Sequence, residues 1–346
     1  MATQPSEDKK PHLWIKDMKE EERVHGLYLV KVKRVGTTKK GTPFLSLTLG
    51  DRTGEVEAKV WERADTLSPL FREGDVIHVE GNTSSYRNQI QVTLSNLKVP
   101  EDRKGDPDLF IESSAKDVNE MMQALRKILK GIENHFIKTL VDKFLSDRSF
   151  TNRFKRAPAA KNFHHSYLGG LLEHTLSVCQ MGQYVVEHYP ELDKDMLMAG
   201  AFLHDIGKIK ELYFDRHIDY TDEGRLLGHV VLGVTLVDKK MEDLKDFPED
   251  LALRLKHLIL SHHGQFEFGS PKRPKFLEAY ALHLIDDLDA KMNGLGRFME
   301  RDRKEGDWTD FNRLFDRYFL KGKIAEAEQK GEISLPGDDR QKVLFS

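Results

Sequence analysis

A histidine followed directly by an aspartate, His204-Asp205, stands at the end of a run of apolar residues. Helical spacing places Leu197, Ala201 and His204 on one face, so the imidazole should point inward with the aliphatic side chains. A buried carboxylate costs several kcal/mol unless a partner or a metal ion compensates it. The pair is therefore either a hydrogen-bonded pair of the core or part of a metal site.

Other imidazoles and carboxylates repeat this pattern along the chain. Each stands in an otherwise apolar helical stripe, and the complete series in chain order is His174, His204, Asp205, His229, His262 or His263, and Asp286. One such residue would be read as an ordinary polar group of the core, but six in succession predict a metal site.

The ligand types restrict the metal. No cysteine is among them, which excludes a structural thiolate zinc site. Mixed imidazole and carboxylate ligation suits manganese, which we expect first, or iron, cobalt, nickel or catalytic zinc. At least three histidines and two aspartates exceed the needs of one tetrahedral ion. We therefore expect two divalent ions about 3.5–4 Å apart, bridged by Asp205 and a hydroxide.

The blocks around these ligands carry a family resemblance. The order of histidines and aspartates, with Gly207-Lys208 after the doublet, resembles the HD-domain metal-dependent phosphohydrolases, an all-helical superfamily. His229 and the pair His262-His263 resemble the binuclear members of that superfamily.

A closer resemblance is to the YhaM-type 3′→5′ exoribonuclease family. It is carried by residues 162–175, 204–208, 261–264 and 282–291, and it extends over nearly the whole chain. The long Gly-Gly-Leu-Leu-Glu-His block and the Ser-His-His-Gly block are more specific than the bare doublet. The resemblance implies a metal-dependent enzyme that shortens single-stranded RNA, with single-stranded DNA as a second substrate, through attack of a metal-activated hydroxide that releases 5′-monophosphates.

The positions of individual residues within these blocks imply their roles in catalysis and substrate binding. Asp205 and Lys208 are expected to be catalytic, Lys208 by stabilising charge on the phosphorane, although it could instead be only a cation at a helix end. His165 is also expected to be catalytic, in contact with the substrate, although it could equally hydrogen-bond to a metal ligand. Lys161 and Tyr167 are expected to bind the nucleic acid.

Composition bounds the class of protein. The 346 residues suggest two domains, and 32% charged with 39% hydrophobic residues is typical of a soluble globular protein. The formal net charge of −3 gives no indication of nucleic acid, so any basic surface must be local. The single cysteine, Cys179, favours a reducing cytoplasm, and no apolar run is long enough to span a membrane.

Alternating patterns up to about Pro100 predict a barrel. Three strands, a short helix near 63–71 and two more strands, near 75–81 and 89–97, follow the order of an OB-fold. The aliphatic phase of the second and third strands should face the core, which leaves Phe44 and Trp61 on the wet face beside Lys59. Such aromatics suit stacking of single-stranded bases, with Arg87 among the loop cations; the alternative is that Trp61 packs on a neighbouring element.

The predicted organisation is multidomain: an all-β OB-fold barrel followed by an all-α HD domain. We expect a disordered leader at 1–12, the barrel at 13–100, a charged linker and connecting helices at 101–160, the metal domain at 161–300 and a C-terminal helix and tail at 301–346. The aromatic-rich segment after about Arg301 predicts an amphipathic helix for packing or for formation of a homo-oligomer.

Two other functions remain open from the sequence. One is an HD-domain phosphodiesterase acting on cyclic dinucleotides or nucleotide polyphosphates, although Gly264-Gln265 replaces the Glu and Gly-Tyr-Pro expected after the histidine pair of the cyclic-dinucleotide enzymes. The other is a non-catalytic nucleic-acid-binding protein with a structural metal.

Overall fold

Five strands of the N-terminal region close into a barrel. In the computed structural model, which describes residues 12–86, 89–100 and 106–322, the neighbour order around the barrel is β1-β2-β3-β5-β4. The β3–β5 pair is parallel and the others are antiparallel, which is the OB-fold predicted from the strand order. The strands are β1 (Arg23–Thr37), β2 (Pro43–Asp51), β3 (Gly54–Val60), β4 (Val76–Tyr86) and β5 (Gln89–Lys98).

The two faces of the strands separate as the sequence predicts. Side chains of the aliphatic phase, such as Leu45, Leu47 and Ala58, are buried in the barrel core. Phe44 and Trp61, in the opposite phase, lie outside it. The predicted short helix between β3 and β4 is α1 (Ala64–Leu67), extended by a 3₁₀ turn at Ser68–Leu70.

The rest of the described chain up to Arg301 is helical apart from a two-stranded ribbon, β6 (Leu212–Tyr213) and β7 (Asp219–Tyr220). Helices commonly start at a side chain that accepts backbone N–H bonds; Asp147, for example, accepts from Ser149 and Phe150. The helices are α2 (Val118–Leu129), α3 (His135–Ser146), α4 (Arg148–Arg156), α5 (Gly170–His188), α6 (Lys194–Leu203), α7 (Lys208–Glu211), α8 (Asp222–Met241), α9 (Glu249–Ser261) and α10 (Leu277–Arg301).

One apolar core joins these helices. The connecting helices α2 to α4 contribute Leu125, Phe144 and Phe154, which are fully buried in the same cluster as Leu197 of α6 and Leu258 of α9. Helices α2 to α4, which fall within the linker and connecting helices predicted at 101–160, therefore pack as part of the helical body. No described helix is both long and apolar enough to cross a bilayer.

The C-terminal helix predicted after Arg301 is absent from residues 302–322. Thr309 and Phe319 instead pair through backbone and hydroxyl hydrogen bonds, and Asn312 accepts from the backbone of Leu314 and Phe315. The predicted helix does not form over these residues because the side chains of Thr309 and Asn312 bond to nearby backbone groups, and such bonds compete with a helix. Contacts place the described residues up to Gly294 in one compact unit and those from Leu295 onward in a second.

Candidate metal centre and nucleic-acid surface

The predicted ligands converge from five helices. His174 lies on α5, His204 and Asp205 follow the end of α6, His229 lies on α8, His262 and His263 follow the end of α9, and Asp286 lies on α10. His174, His204, Asp205 and His262 are at most 1% exposed. Their inward position agrees with the apolar stripes from which they were predicted.

Four of these side chains surround one point. His174 Nε2 lies 3.1 Å from Asp286 Oδ1 and 3.5 Å from Asp205 Oδ2. His204 Nε2 lies 3.1 Å from His174 Nε2 and 3.4 Å from Asp205 Oδ2. A cation with bonds of about 2.1 Å would hold neighbouring ligand atoms about 3.0–3.4 Å apart. The spacing therefore fits one divalent ion.

A second group faces the other oxygen of Asp205. Its Oδ1 lies 3.5 Å from His229 Nε2 and 3.6 Å from His262 Nε2, and none of these three buried atoms has a hydrogen-bond partner among the described residues. Buried polar atoms normally have a partner, so three unpartnered atoms that face one another are suited to bind a cation. His263 completes this group, with ligand atoms of the three histidines within 4.8 Å of each other.

Two of the candidate ligands, His204 and His262, are each oriented through the other ring nitrogen. His204 Nδ1 lies 3.0 Å from the carbonyl of Ala201, and His262 Nδ1 lies 2.7 Å from the carbonyl of Ile259. Because a carbonyl only accepts, Nδ1 must carry the proton, which leaves the lone pair of Nε2 for the centre.

Two carboxylates that support the ligands were not predicted as site residues. Asp289 Oδ2 lies 2.7 Å from His174 Nδ1, and Glu211 Oε1 accepts from the backbone N–H of His229 at 2.9 Å and lies 3.0 Å from its Nδ1. Asp289 stands one turn after Asp286, and that spacing was the available clue. Glu211 gave none, because its contact depends on a break in α8 at Gly228.

The positions of His165 and Tyr167 do not fit the predicted contacts with substrate. Both are buried: His165 Nε2 lies 2.9 Å from Asp289 Oδ2, and the Tyr167 hydroxyl donates to Glu173. His165 thus contacts Asp289, the carboxylate partner of His174, and its Nδ1 lies 2.9 Å from the hydroxyl of Tyr167. This agrees with the alternative in which His165 hydrogen-bonds behind a ligand.

The two groups of candidate ligands differ in the pKa values of their histidines. Burial lowers the pKa of His174, but its bonds with Asp286 and Asp289 outweigh burial and raise it to about 9. Burial and the neighbouring His229 lower the pKa of His263 to about 4. Burial opposes ionisation of Asp205, yet the cation of Lys208 and the surrounding histidines hold its pKa well below the usual range. The carboxylate of Asp205 is thus anionic at neutral pH, as a metal ligand would be.

Lys208 lies beside the candidate ligand Asp205. Its Nζ donates to Asp205 Oδ2 at 2.6 Å, and the residue is buried. A cavity of about 140 Å³ opens onto Lys208, His263 and Asp286. A phosphate that entered this cavity would meet the ammonium group and the metal ligands together.

The outer face of the barrel carries the predicted aromatic pair. The rings of Phe44 and Trp61 lie 4.9 Å apart, and Trp61 is 45% exposed. Lys59 Nζ lies 6.0 Å from the centre of the Phe44 ring. Lys161 pairs with Asp219 at 2.7 Å, and Arg87 falls outside the described residues.

Comparisons with known proteins agree with this architecture. Residues 171–291 match the HD domain family, and residues 29–100 match the OB-fold nucleic acid binding domain family.

Several relatives carry the name 3′-5′ exoribonuclease YhaM, and two of them serve as examples. That of Bacillus subtilis (strain 168) is 38% identical over 84% of this chain and 91% of its own length, and that of Oceanobacillus iheyensis is 36% identical over 89% and 96%. Among solved structures, the second OB-fold domain of replication protein A from Methanococcus maripaludis covers 26% of this chain and 96% of its own, at 20% identity and a TM-score of 0.23.

Proposed function

The chain belongs to the YhaM family of 3′→5′ exoribonucleases, and from this premise we propose that it removes nucleotides from the 3′ end of single-stranded RNA by metal-dependent hydrolysis. The observation that carries the proposal is Asp205, whose two oxygens face two separate sets of buried imidazoles. A carboxylate in this position is suited to bridge two cations. Binuclear centres of this kind serve phosphodiester hydrolysis.

Named residues would hold each ion. His174, His204, Asp205 and Asp286 surround the first position, and Asp205, His229, His262 and His263 surround the second. When bound, two divalent cations supply an activated hydroxide and neutralise charge on the phosphodiester. Manganese is our first choice, with iron, cobalt, nickel and zinc as alternatives, because imidazole and carboxylate ligands suit all of them.

The chain's own groups would complete the reaction. The ammonium group of Lys208 lies beside Asp205 and would stabilise the charge that develops on the phosphoryl oxygens. In-line attack at phosphorus breaks its bond to the 3′-oxygen of the upstream nucleotide. The product is a 5′-monophosphate, and the shortened strand keeps a free 3′-hydroxyl.

The barrel, which we assign to residues 13–100, would hold the strand while the metal domain at 161–300 cuts it. Exposed Trp61 beside Phe44 offers a stacking surface, with Lys59 next to it for phosphate. Lys161 is a second candidate for a phosphate contact. Because stacking barely distinguishes the sugars, we propose single-stranded DNA as a further substrate.

Two further proposals concern the setting of the enzyme. The single, buried cysteine, Cys179, suits a reducing cytoplasm. Exposed apolar residues on one side of α10, including Tyr280, Leu284 and Leu288, suit contact with a second copy of the chain. Light scattering during size-exclusion chromatography tests the latter: a monomer mass across the micromolar range would contradict it.

A single assay tests the proposed function. Single-stranded RNA labelled at its 5′ end is incubated with the protein and each divalent metal, and product length and end chemistry are read. We expect a ladder that shortens from the 3′ end, with 5′-monophosphates released and all activity lost in chelator. Turnover of cyclic dinucleotides or nucleotide polyphosphates in preference to RNA, or strand binding without hydrolysis, would overturn the proposal.

A further inference from the structure

A 3₁₀ turn, Phe266–Phe268, follows closely after His263 and carries two exposed aromatic rings. Phe266 is 57% exposed and Phe268 is 63% exposed, whereas Phe144, Phe154 and Phe202 in the helical core are fully buried. An exposed ring contributes nothing to the core. The mechanism described above leaves both rings without a role.

The turn is held in a fixed position relative to the metal ligands. Gly269 adopts a left-handed conformation, with φ of 80°, that ends the turn, and the buried Ser270 hydroxyl bonds to the carbonyls of Leu260 and Lys272. Backbone hydrogen bonds also fix the turn. The Gln265 N–H donates to the carbonyl of His263, and the Gly269 N–H donates to the carbonyl of Phe266. The N–H groups of Phe268 and Ser270 both donate to the carbonyl of Gln265. A ring on this turn is therefore preorganised with respect to His263.

The two rings differ in what they face. Phe268 lines the cavity of about 140 Å³ together with Lys208, His263 and Asp286. Phe266 is not on that cavity wall, and its ring lies 4.8 Å from the guanidinium carbon of Arg273.

The size of the cavity decides where a nucleobase can lie. Pockets that enclose a drug-sized ligand measure about 300–1,000 Å³, so this cavity is too small for a whole nucleotide. A phosphodiester bound at Lys208 and the metal ligands would leave its base at the cavity mouth. Phe268 stands there with an exposed ring.

We propose that Phe268 is a binding residue that stacks on the nucleobase of the 3′-terminal nucleotide and so seats its phosphodiester beside Asp205 and Lys208. The inference rests on the proposed exonuclease function. Every base has a π-face, so the contact accepts any base and suits an enzyme that shortens strands of all sequences. It also requires an unpaired terminal base, since the face of a base within a duplex is already stacked.

The test compares Phe268→Ala, Phe268→Tyr and Phe266→Ala in the full-length, metal-loaded protein. Phe266→Ala is the matched control, because it removes the same ring from the same turn at similar exposure. Each variant is assayed on two RNA strands that differ only in whether the last nucleotide carries a base or is abasic. Melting temperatures verify that the variants are folded.

For the strand with a terminal base, we expect Phe268→Ala to raise KM about tenfold, with kcat changed less than about twofold. Phe268→Tyr and Phe266→Ala should keep the wild-type KM. With the abasic strand, wild type and Phe268→Ala should have the same, raised KM, because the stacking partner is gone.

Three results would overturn the inference: an unchanged KM in Phe268→Ala, an equal effect in Phe266→Ala, or a loss in Phe268→Ala that persists undiminished on the abasic strand. These leave wild-type hydrolysis of RNA intact and so contradict the stacking contact alone. If the wild-type protein does not shorten RNA in a chelator-sensitive way, the result would instead contradict the proposed exonuclease function on which the inference rests.

Discussion

Asp205 would give the proposed centre its binuclear character, because it is the residue shared by both groups of candidate ligands. Its Oδ2 lies among His174, His204 and Lys208, and its Oδ1 faces His229 and His262. An aspartate at this position is anionic at neutral pH, because neighbouring cations keep its pKa low. Replacement by a neutral group of equal size should therefore affect both ions together.

For Asp205→Asn we expect hydrolysis to fall by more than about 100-fold, since losing a ligand should cost at least as much as losing a group that orients one. The Kd for a single strand in the presence of metal should change less than about twofold, because the barrel carries strand binding. Asp238→Asn, an exposed aspartate of α8 paired with Lys256, is the control and should behave as wild type. Loss of binding in parallel with hydrolysis would contradict this division of labour.

Asp289 is predicted to act through His174 rather than by contact with a metal ion. It bonds to His174 Nδ1 and to His165 Nε2, so it fixes the ring that would ligate the first ion. Asp289→Asn should raise the metal concentration needed for half-maximal activity by about 10–100-fold, with much of the activity recovered at saturating metal. Titration of activity with manganese measures this, with Asp142→Asn on α3 as control. An unchanged half-maximal concentration would show that Asp289 serves only packing.

The convergence of the candidate ligands could be predicted because a titratable side chain in an apolar helical stripe is conspicuous by position alone. His174, His204 and Asp286 are of this kind, and the structure brings them within 3.7 Å of one another. Glu211 could not be found in this way. It lies in a short helix without a long periodic pattern, and its partner His229 reaches it only through a local break in the backbone.

At the scale of elements, that break is the feature on which the second group of ligands depends. Within α8, Gly228 has φ of 73° and ψ of 159°, a conformation that belongs almost entirely to glycine. The change of direction lets the backbone N–H and the ring of His229 both meet Glu211 Oε1. His229 Nε2 is thereby left facing Asp205.

Gly228→Ala should destabilise the fold by about 1–3 kcal/mol and displace His229, so activity should fall well beyond the loss in stability. Urea unfolding and RNA hydrolysis measure the two effects. Gly296→Ala is the matched control: its added Cβ meets no atom within 4 Å, and alanine favours a helix. If both variants retain wild-type activity, the break is not required for the position of His229.

Other elements show where the periodicity of the sequence is sufficient to predict the structure and where it is not. The phase of β2 and β3 was predictable because alternation leaves no choice of face, and Leu45 and Phe44 lie on opposite sides accordingly. The aromatic segment from Trp308 to Phe319 has spacing that also fits a chain that folds back on itself. There the ring pairs Phe311–Tyr318 and Phe315–Phe319 form across a turn.

At the scale of the whole molecule, binding and hydrolysis are assigned to different surfaces. The barrel offers exposed Trp61 beside the half-buried Phe44, and the helical body offers the candidate metal ligands at a small cavity. A strand long enough to contact both surfaces should bind more tightly than one that reaches only the cavity. The formal net charge of −3 provides no overall attraction for a polyanionic strand, so the stacking contacts should account for much of the dependence on strand length.

Trp61→Ala should therefore raise KM by about fivefold to tenfold for a strand of twenty nucleotides and leave a dinucleotide or trinucleotide unaffected. The reason is that the variant removes one stacking surface on the barrel and leaves every metal ligand in place. Tyr184→Ala, which removes a ring that is 72% exposed on α5, controls for loss of a surface aromatic. Steady-state kinetics over a series of strand lengths measures the effect. If KM rose equally for the shortest and longest strands, Trp61 would be acting on the metal domain, and the barrel would not be the surface that holds the strand.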